Sequence, residues 1–183
     1  MKKIIIVRGI PTSGKTTITH ELAKILPHYI FIDIWKIKEM FEPLNLKDRM
    51  PLKSASKKAV LAIMKEVMAS LEINIILQET KRSVLNKKLR RYIKNKYEIY
   101  SFFLHDDYET AIKRDIKREK PTMRINKLFS RNQWEKQRKT FDRGEVIIDT
   151  SNLSIQQVID IILKKVGEKP KKHSGAEIIR KSW

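Results

Sequence analysis

The feature that most constrains this chain is a short apolar run that leads without a gap into a loop bounded by glycines. Residues 4–7, IIIV, have the pattern of a buried strand, and residues 9–16, GIPTSGKT, match the motif G-x-x-x-x-G-K-[ST]. In this motif the glycines let backbone N–H groups turn toward phosphate oxygens, Lys15 adds a cation, and Thr16 offers a hydroxyl to Mg²⁺. The sequence therefore predicts a site for ATP and Mg²⁺, the alternative being a glycine-containing helix cap. The predicted nucleotide-binding residues are Gly9, Thr12, Ser13, Gly14, Lys15, Thr16 and Thr17, with Thr16 as the metal ligand.

The segments after the loop alternate between helix and strand patterns. Apolar residues recur at helical spacing from Thr16 to Leu26, Pro27 ends that helix, and residues 29–33, YIFID, form a second strand pattern. This succession is the opening of an α/β doubly wound sheet. Further strands are predicted within residues 73–80, 97–104 and 145–152. Helices are predicted at 34–41 and, after a loop at 42–51, in a longer segment whose apolar stripe runs from Val60 to Leu71. Further helices are predicted at 83–96, from about 107 to 121, at 125–140 and at 154–166.

Composition limits the cellular setting and the partners of this chain. Its 183 residues suit one domain, and it contains no cysteine. Lys and Arg number 40 against 21 Asp and Glu, a net charge of +19 that favours a nucleic acid partner before an acidic membrane surface. The alternative is a basic surface that serves only solubility. Arg8 interrupts the N-terminal apolar run, and no stretch is long enough to span a bilayer, so we expect a cytoplasmic protein.

The expected organisation is one domain over residues 1–166 followed by a basic, partly ordered tail over residues 167–183. Loop punctuation and weak periodicity begin at Gly167. The sequence leaves the oligomeric state open.

Acidic residues follow two of the predicted strands at the edge where open parallel sheets bind ligands. Asp33 ends the second strand, where it could take the proton of an acceptor hydroxyl, and Lys36 could then bind an anionic acceptor. Asp33 could instead be the N-cap of the helix that follows it. Glu79 ends the third strand and could reach Mg²⁺ through water or orient the acceptor. Arg82 is a further candidate for acceptor binding.

The helix predicted from residue 107 carries a cluster of basic residues in its last turns. Arg114 and Arg118 are four residues apart, so they share a helix face and could close as a lid over the transferring phosphoryl group. Arg118 could instead be an exposed surface charge. With Lys15 and Asp33, Arg118 completes the predicted catalytic set.

Five features together resemble the polynucleotide-kinase-like P-loop kinases, a group near chloramphenicol phosphotransferase and adenylylsulfate kinase. The features are RGIPTSGKT, the FIDIWK step after the second strand, the acidic end of the third strand, KRDIKR on the predicted lid, and VIIDTSNLS near the end. The resemblance extends over residues 2–166. It implies a P-loop kinase fold with a five-stranded parallel sheet of order 2-3-1-4-5, helices on both faces and a helical lid.

The resemblance also implies roles for individual residues. It makes Asp33 the general base, Lys36 a contact to the acceptor phosphate, and Arg114 and Arg118 lid arginines, with Arg118 on the donor phosphates. Two positions depart from the family. Lys36 stands where the family has arginine, so a bidentate phosphate contact is lost. Thr12 replaces a glycine, a change that affects the loop backbone.

Three functions remain open from the sequence. The main hypothesis is a kinase that transfers the γ-phosphate of ATP to the 5′-hydroxyl of RNA or DNA, which the resemblance and the basic charge favour. The second is a kinase of a small molecule or nucleoside. The third is a nucleic-acid-binding NTPase whose nucleotide site is a switch or a relic.

Overall fold

The computed structural model describes residues 1–40, 50–71, 73–79, 93, 96–117 and 125–170. Within these residues, no helix is both long and apolar enough to cross a bilayer. The strands are β1 (Lys2–Gly9), β2 (Tyr29–Asp33), β3 (Asn74–Gln78), β4 (Tyr97–His105) and β5 (Val146–Asp149). The helices are α1 (Lys15–Ile25), α2 (Ile34–Glu39), α3 (Met50–Ser70), α4 (Tyr108–Ile116), α5 (Ile125–Leu128), α6 (Arg131–Arg138) and α7 (Ile155–Val166).

The strands form one parallel five-stranded sheet with the order β2-β3-β1-β4-β5, which confirms the α/β fold class and the order implied by the resemblance. β1 lies in the centre, with Ile4 opposite Ile75 of β3 and Ile99 of β4. Because all strands are parallel, their carboxyl ends share one edge of the sheet. The phosphate loop leaves β1 at that edge, and Asp33 ends β2 there.

The two faces of the sheet bury separate apolar clusters, which explains why the strand sequences are almost continuously apolar. Ile5 and Val7 of β1 pack with α1 and α7 on one face, whereas Ile4 and Ile6 pack with α3 on the other. Two methionines of α3, Met64 and Met68, are buried in this second cluster.

Gly9 is required for close packing of two strands. Its φ is 150°, and a Cβ atom added to it would collide with the backbone carbonyl of Leu104 in β4. Gly9 therefore brings the end of β1 against β4. Its contribution to the nucleotide site is indirect, since it fixes where the phosphate loop begins.

A third apolar cluster connects α4, α5 and α6 around the buried side chain of Trp134. The sequence predicted one helix over residues 125–140, and this prediction was wrong at Phe129 and Ser130. The Ser130 side chain accepts a hydrogen bond from the Gln133 N–H, and the Gln133 side chain accepts one from the Ser130 N–H. This capping box begins a new helix instead of continuing the old one.

The last helix ends as its sequence predicts, and Glu168 beyond it contacts β1 and β2. A capping box between Ser154 and Gln157 begins α7, and Gly167 ends it with a φ of 71°. Glu168 then accepts hydrogen bonds from Lys3 Nζ at 2.9 Å and from the Tyr29 hydroxyl at 3.0 Å. Three predicted segments lie wholly or largely outside the described residues: the loop at 42–51, the helix at 83–96 and the tail at 167–183.

Arg8 forms a buried ion pair that connects β1 to the turn before β5. Its side chain is 1% exposed, and its Nε and Nη2 atoms lie 2.5 and 2.6 Å from the two carboxylate oxygens of Glu145. The Ser101 hydroxyl donates a further hydrogen bond to Glu145. Burial raises the pKa of Glu145, but the hydrogen bonds from Arg8, the Asp142 N–H and Ser101 outweigh it and bring that pKa below its usual value.

Candidate active site

The phosphate loop ends at a helix N-terminus that is suited to an anion. Gly14 is the N-cap of α1 with a φ of 86°, a left-handed conformation that favours glycine. In the described part of the chain no side chain caps this helix, and its first turn contains no acidic residue. The positive end of the helix dipole is therefore available to phosphates. Lys15 Nζ donates a hydrogen bond to the Ile10 carbonyl, which keeps the ammonium group beside the loop.

A cleft of about 330 Å³ lies over this loop. One side is the loop itself with the start of α1, and the other is formed by Arg114 and the segment from Thr150 into α7. Leu153, Ile155 and Val158 give that second side an apolar surface. Polar groups that can bind phosphates beside an apolar wall that can contact the nucleobase are expected of a nucleotide site. The predicted loop residues at the cleft are Thr12, Ser13, Gly14, Lys15, Thr16 and Thr17.

Gln78 connects the phosphate loop to Asp33. Its Nε2 atom lies 3.2 Å from Thr16 Oγ1 and 3.2 Å from Asp33 Oδ2, so these two oxygens are separated by no more than twice that distance. The buried Thr19 hydroxyl donates a hydrogen bond to Gln78 Oε1 at 2.6 Å. Because an ionised carboxylate only accepts hydrogen bonds, the amide nitrogen must face Asp33. The predicted metal ligand and the predicted general base therefore share one positioning side chain.

Asp33 also makes the helix-capping contact that the sequence left as an alternative. Its Oδ1 atom accepts a hydrogen bond from the Trp35 N–H at 2.8 Å, at the start of α2. The two roles are compatible because they use different oxygens, Oδ1 toward α2 and Oδ2 toward Gln78. The cap fixes the carboxylate at the ligand edge of the sheet. Lys36 is exposed on α2, three residues after Asp33.

Arg114 lies at the cleft wall, where its guanidinium group is hydrogen-bonded, and its predicted role on a closing lid stays a prediction. Its Nη1 and Nη2 atoms donate to the side chain and the carbonyl of Thr150 at 3.0 and 2.6 Å. Nη1 also lies 3.2 Å from Asp106 Oδ2. Three such contacts fix the guanidinium group beside the nucleotide cleft. Arg118 and Arg82 lie outside the described residues, so their predicted roles stay predictions.

Thr12, where the family has glycine, adopts a left-handed backbone conformation with a φ of 64°. For a residue with a Cβ atom this conformation costs about 1–2 kcal/mol. The Thr12 hydroxyl donates a hydrogen bond to Asp106 Oδ2 at 3.0 Å. The sequence predicted an effect of Thr12 on the loop backbone, and the φ value shows what that effect is.

Ionisation of the buried Asp106 carboxyl should lower the free energy of unfolding as the pH rises. Burial raises its pKa to about 6, although hydrogen bonds from Thr12 and Arg114 favour the charged form. The folded protein therefore retains this proton longer than the unfolded chain, and the resulting stability, present below about pH 4, is lost as the pH approaches 6. Relative to Asp106→Asn, we expect the wild-type free energy of unfolding to fall by about 2 kcal/mol between pH 4 and 7. Urea unfolding of both proteins measures the difference, and a difference that stays constant with pH contradicts the prediction.

Sequence reasoning missed Gln78, Asp106 and Thr150. Gln78 carries a detectable signal, since it is a polar residue inside an apolar strand pattern. The prediction chose its neighbour Glu79, but successive side chains of a strand point to opposite faces, and Gln78 is the residue that contacts Thr16 and Asp33. Glu79 is buried at the next position, and its predicted role stays a prediction.

Comparisons with known proteins agree with this architecture. No protein-family model matches the chain, and no curated protein sequence matches it. A sugar kinase from Janibacter sp. HTCC2649 superposes with a TM-score of 0.62 at 20% identity, covering 93% of this chain and 97% of that one. The tunicamycin resistance protein of Deinococcus radiodurans gives 0.63 at 16% identity, covering 92% and 98%. Shikimate kinase from Aquifex aeolicus gives 0.56 at 17% identity, covering 90% and 96%. The chain therefore shares the α/β fold of these three structures.

Proposed function

We propose that the protein is a kinase that transfers the γ-phosphate of ATP to a hydroxyl group of a small molecule. The observation that carries this proposal is the Gln78 side chain, which lies between the hydroxyl of Thr16 on the donor side and the carboxylate of Asp33 on the acceptor side. A phosphate cradle alone is compatible with many NTPases. A carboxylate beside the cradle supplies the group that accepts a proton from an attacking hydroxyl.

On the donor side, the start of α1 and Lys15 would bind the phosphates, and the apolar cleft wall would contact the base. Arg114, attached to Thr150, would contribute positive charge at that wall. Thr16 would be a ligand of Mg²⁺, which in phosphoryl transfer neutralises charge on the β- and γ-phosphates. The uncapped N–H groups of α1 and Lys15 suit the phosphates, and the Thr16 hydroxyl suits Mg²⁺, so the residues present fit Mg²⁺–ATP.

On the acceptor side, Asp33 would take the proton of the attacking hydroxyl. A bond forms between the acceptor oxygen and the γ-phosphorus, the bond from that phosphorus to the β–γ bridging oxygen breaks, and ADP leaves. The two hydrogen bonds from the Trp35 N–H and Gln78 fix the carboxylate before the acceptor arrives. Lys36, exposed on α2, would bind an anionic group of the acceptor.

The small-molecule acceptor is favoured by the proteins that share the fold. Structures named as a sugar kinase and a shikimate kinase each align over more than nine-tenths of their own length with this chain. A second candidate, the 5′-hydroxyl of a nucleic acid, is favoured by the net charge of +19. Both candidates use the same donor site and the same Asp33, so they differ in the acceptor alone.

An ADP-release assay with a panel of acceptors tests the proposal. We expect sugars, polyols or hydroxy acids to stimulate ADP release, with a kcat/KM that changes by less than about twofold between 50 and 200 mM salt, because few ions are displaced. A nucleic acid acceptor that contacts several phosphates would lose at least about tenfold over that range. Stimulation by 5′-hydroxyl oligonucleotides alone would identify the second candidate. No stimulation by any acceptor would contradict the kinase proposal.

A further inference from the structure

The phosphate loop contains one residue whose backbone conformation is unfavourable for its side chain. In the described part of the chain every residue with a positive φ is glycine except Thr12, at 64°. Thr12 is β-branched, and such residues rarely adopt the left-handed conformation. Backbone strain of this kind persists where surrounding contacts fix it. The contacts of Thr12 therefore indicate what determines the shape of the loop.

The contact that fixes Thr12 comes from Asp106, which follows β4 directly. Thr12 Oγ1 donates to Asp106 Oδ2 at 3.0 Å, and both side chains are buried. The Asp106 backbone is itself anchored, because its carbonyl accepts a hydrogen bond from the Trp134 indole N–H at 3.0 Å. The Asp107 N–H, on the next residue, donates to the Ser151 hydroxyl at 2.9 Å. Asp106 is thus a fixed point against which the loop can be positioned.

The same carboxylate oxygen connects the two sides of the nucleotide cleft. Asp106 Oδ2 lies 3.2 Å from Arg114 Nη1, on the wall opposite the loop. Arg114 has two further hydrogen bonds to Thr150, so its position does not depend on Asp106 alone. Besides Asp106, the Thr12 hydroxyl contacts only the adjacent Pro11 carbonyl among the described contacts, at 2.5 Å and within the loop itself. The next residue, Ser13, accepts a longer hydrogen bond of 3.3 Å from the Thr150 hydroxyl at its carbonyl. Loss of the Asp106 carboxylate should therefore affect the loop more than the wall.

We propose that Asp106 is a positioning residue that fixes the phosphate-loop backbone through the Thr12 hydroxyl and so raises the affinity for a nucleoside triphosphate. The proposal rests on the nucleotide site of the proposed function, but not on any acceptor. Asp106 does not act on the reacting atoms. Its effect should appear in the dissociation constant of the nucleotide more than in kcat.

Binding of Mg²⁺–ATP, measured by titration calorimetry without an acceptor, tests this role. Thr12→Val keeps the β-branched shape but removes the hydroxyl, and we expect it to raise the Kd about tenfold, the effect of one lost hydrogen bond to a charged group. Thr12→Ser restores the hydroxyl and should recover most of that affinity. Asp106→Ala should match Thr12→Val, and Asp106→Asn, which retains an acceptor oxygen, should recover affinity to within about threefold of the wild type.

A double-mutant cycle separates loop positioning from a general structural role. Glycine adopts a φ of 64° without strain, so in a Thr12→Gly background Asp106→Ala should change the Kd by less than about twofold. An equal change in both backgrounds, or a Thr12→Val protein that binds like the wild type, would overturn the proposal. If Asp106→Ala does not fold, the Thr12→Val and Thr12→Ser pair still decides it. A wild-type protein that binds no Mg²⁺–ATP contradicts the proposed function itself, and this inference with it.

Discussion

Asp33→Asn should lower kcat for phosphoryl transfer by about 10²–10⁴-fold while leaving Mg²⁺–ATP binding nearly unchanged. The variant cannot take the proton of the acceptor hydroxyl. It keeps an oxygen that can accept the Trp35 N–H, and Asn is as good an N-cap as Asp, so α2 should stay in place. Single-turnover transfer and calorimetric titration with Mg²⁺–ATP measure the two effects separately.

Asp160→Asn is the matched control for Asp33→Asn. It makes the same chemical change on the exposed surface of α7, at a residue that does not line the cleft. We expect its kcat to equal that of the wild type. If Asp33→Asn also retained full kcat, the general-base role would be excluded. If it lost Mg²⁺–ATP binding, Asp33 would belong to the donor site. A protein whose only activity is nucleic acid binding, unchanged by Asp33→Asn, would fit the third function left open by the sequence.

Arg8→Met should lower the free energy of unfolding by about 3–5 kcal/mol at pH 7. The side chain is buried in contact with Glu145, and its guanidinium carbon lies 5.2 Å from the centre of the Phe103 ring. Methionine fills much of the space but leaves the Glu145 carboxylate buried without its main charge partner. The pKa of that carboxyl should then rise, because burial is no longer outweighed. Urea unfolding at pH 7 measures the loss.

Lys24→Met is the control for the buried ion pair. Lys24 pairs with Glu21 on the exposed surface of α1, and loss of such a pair costs about 0–1 kcal/mol. The double variant Arg8→Met with Glu145→Leu removes both charges and should recover part of the stability lost by the single change. Equal decreases in the free energy of unfolding for Arg8→Met and Lys24→Met would contradict the prediction that the buried pair contributes more than the exposed one.

The parts of the fold that sequence predicted best are those fixed by local chemistry. The bounds of β2 were predicted without error because Pro27 ends the helix before YIFID, and Asp33, its last residue, caps the helix that follows. The phosphate loop was located because its spacing is required by the phosphates it binds. The start of the last helix was predicted at residue 154, where Ser154 and Gln157 form a capping box within one helical turn.

The parts that the sequence could not locate depend on contacts between distant segments. Arg8 interrupts an apolar strand, and only the fold shows that Glu145, far along the chain, neutralises it. Asp106 and Thr150 contact the phosphate loop because β4 and β5 end beside it. Gln78 joins the donor and acceptor sides because β3 lies between β1 and β2, an order that local patterns do not determine.

The most direct test of the central claim is to follow the γ-phosphate itself. The protein is incubated with ATP labelled at the γ-phosphorus, with Mg²⁺ or with a chelator, in the presence of each acceptor in the panel. We predict Mg²⁺-dependent label on the hydroxyl of an acceptor, lost in Asp33→Asn and retained in Asp160→Asn. Label recovered only as inorganic phosphate, whatever the acceptor, would contradict the account, because the cleft would then hydrolyse ATP without transferring its phosphate.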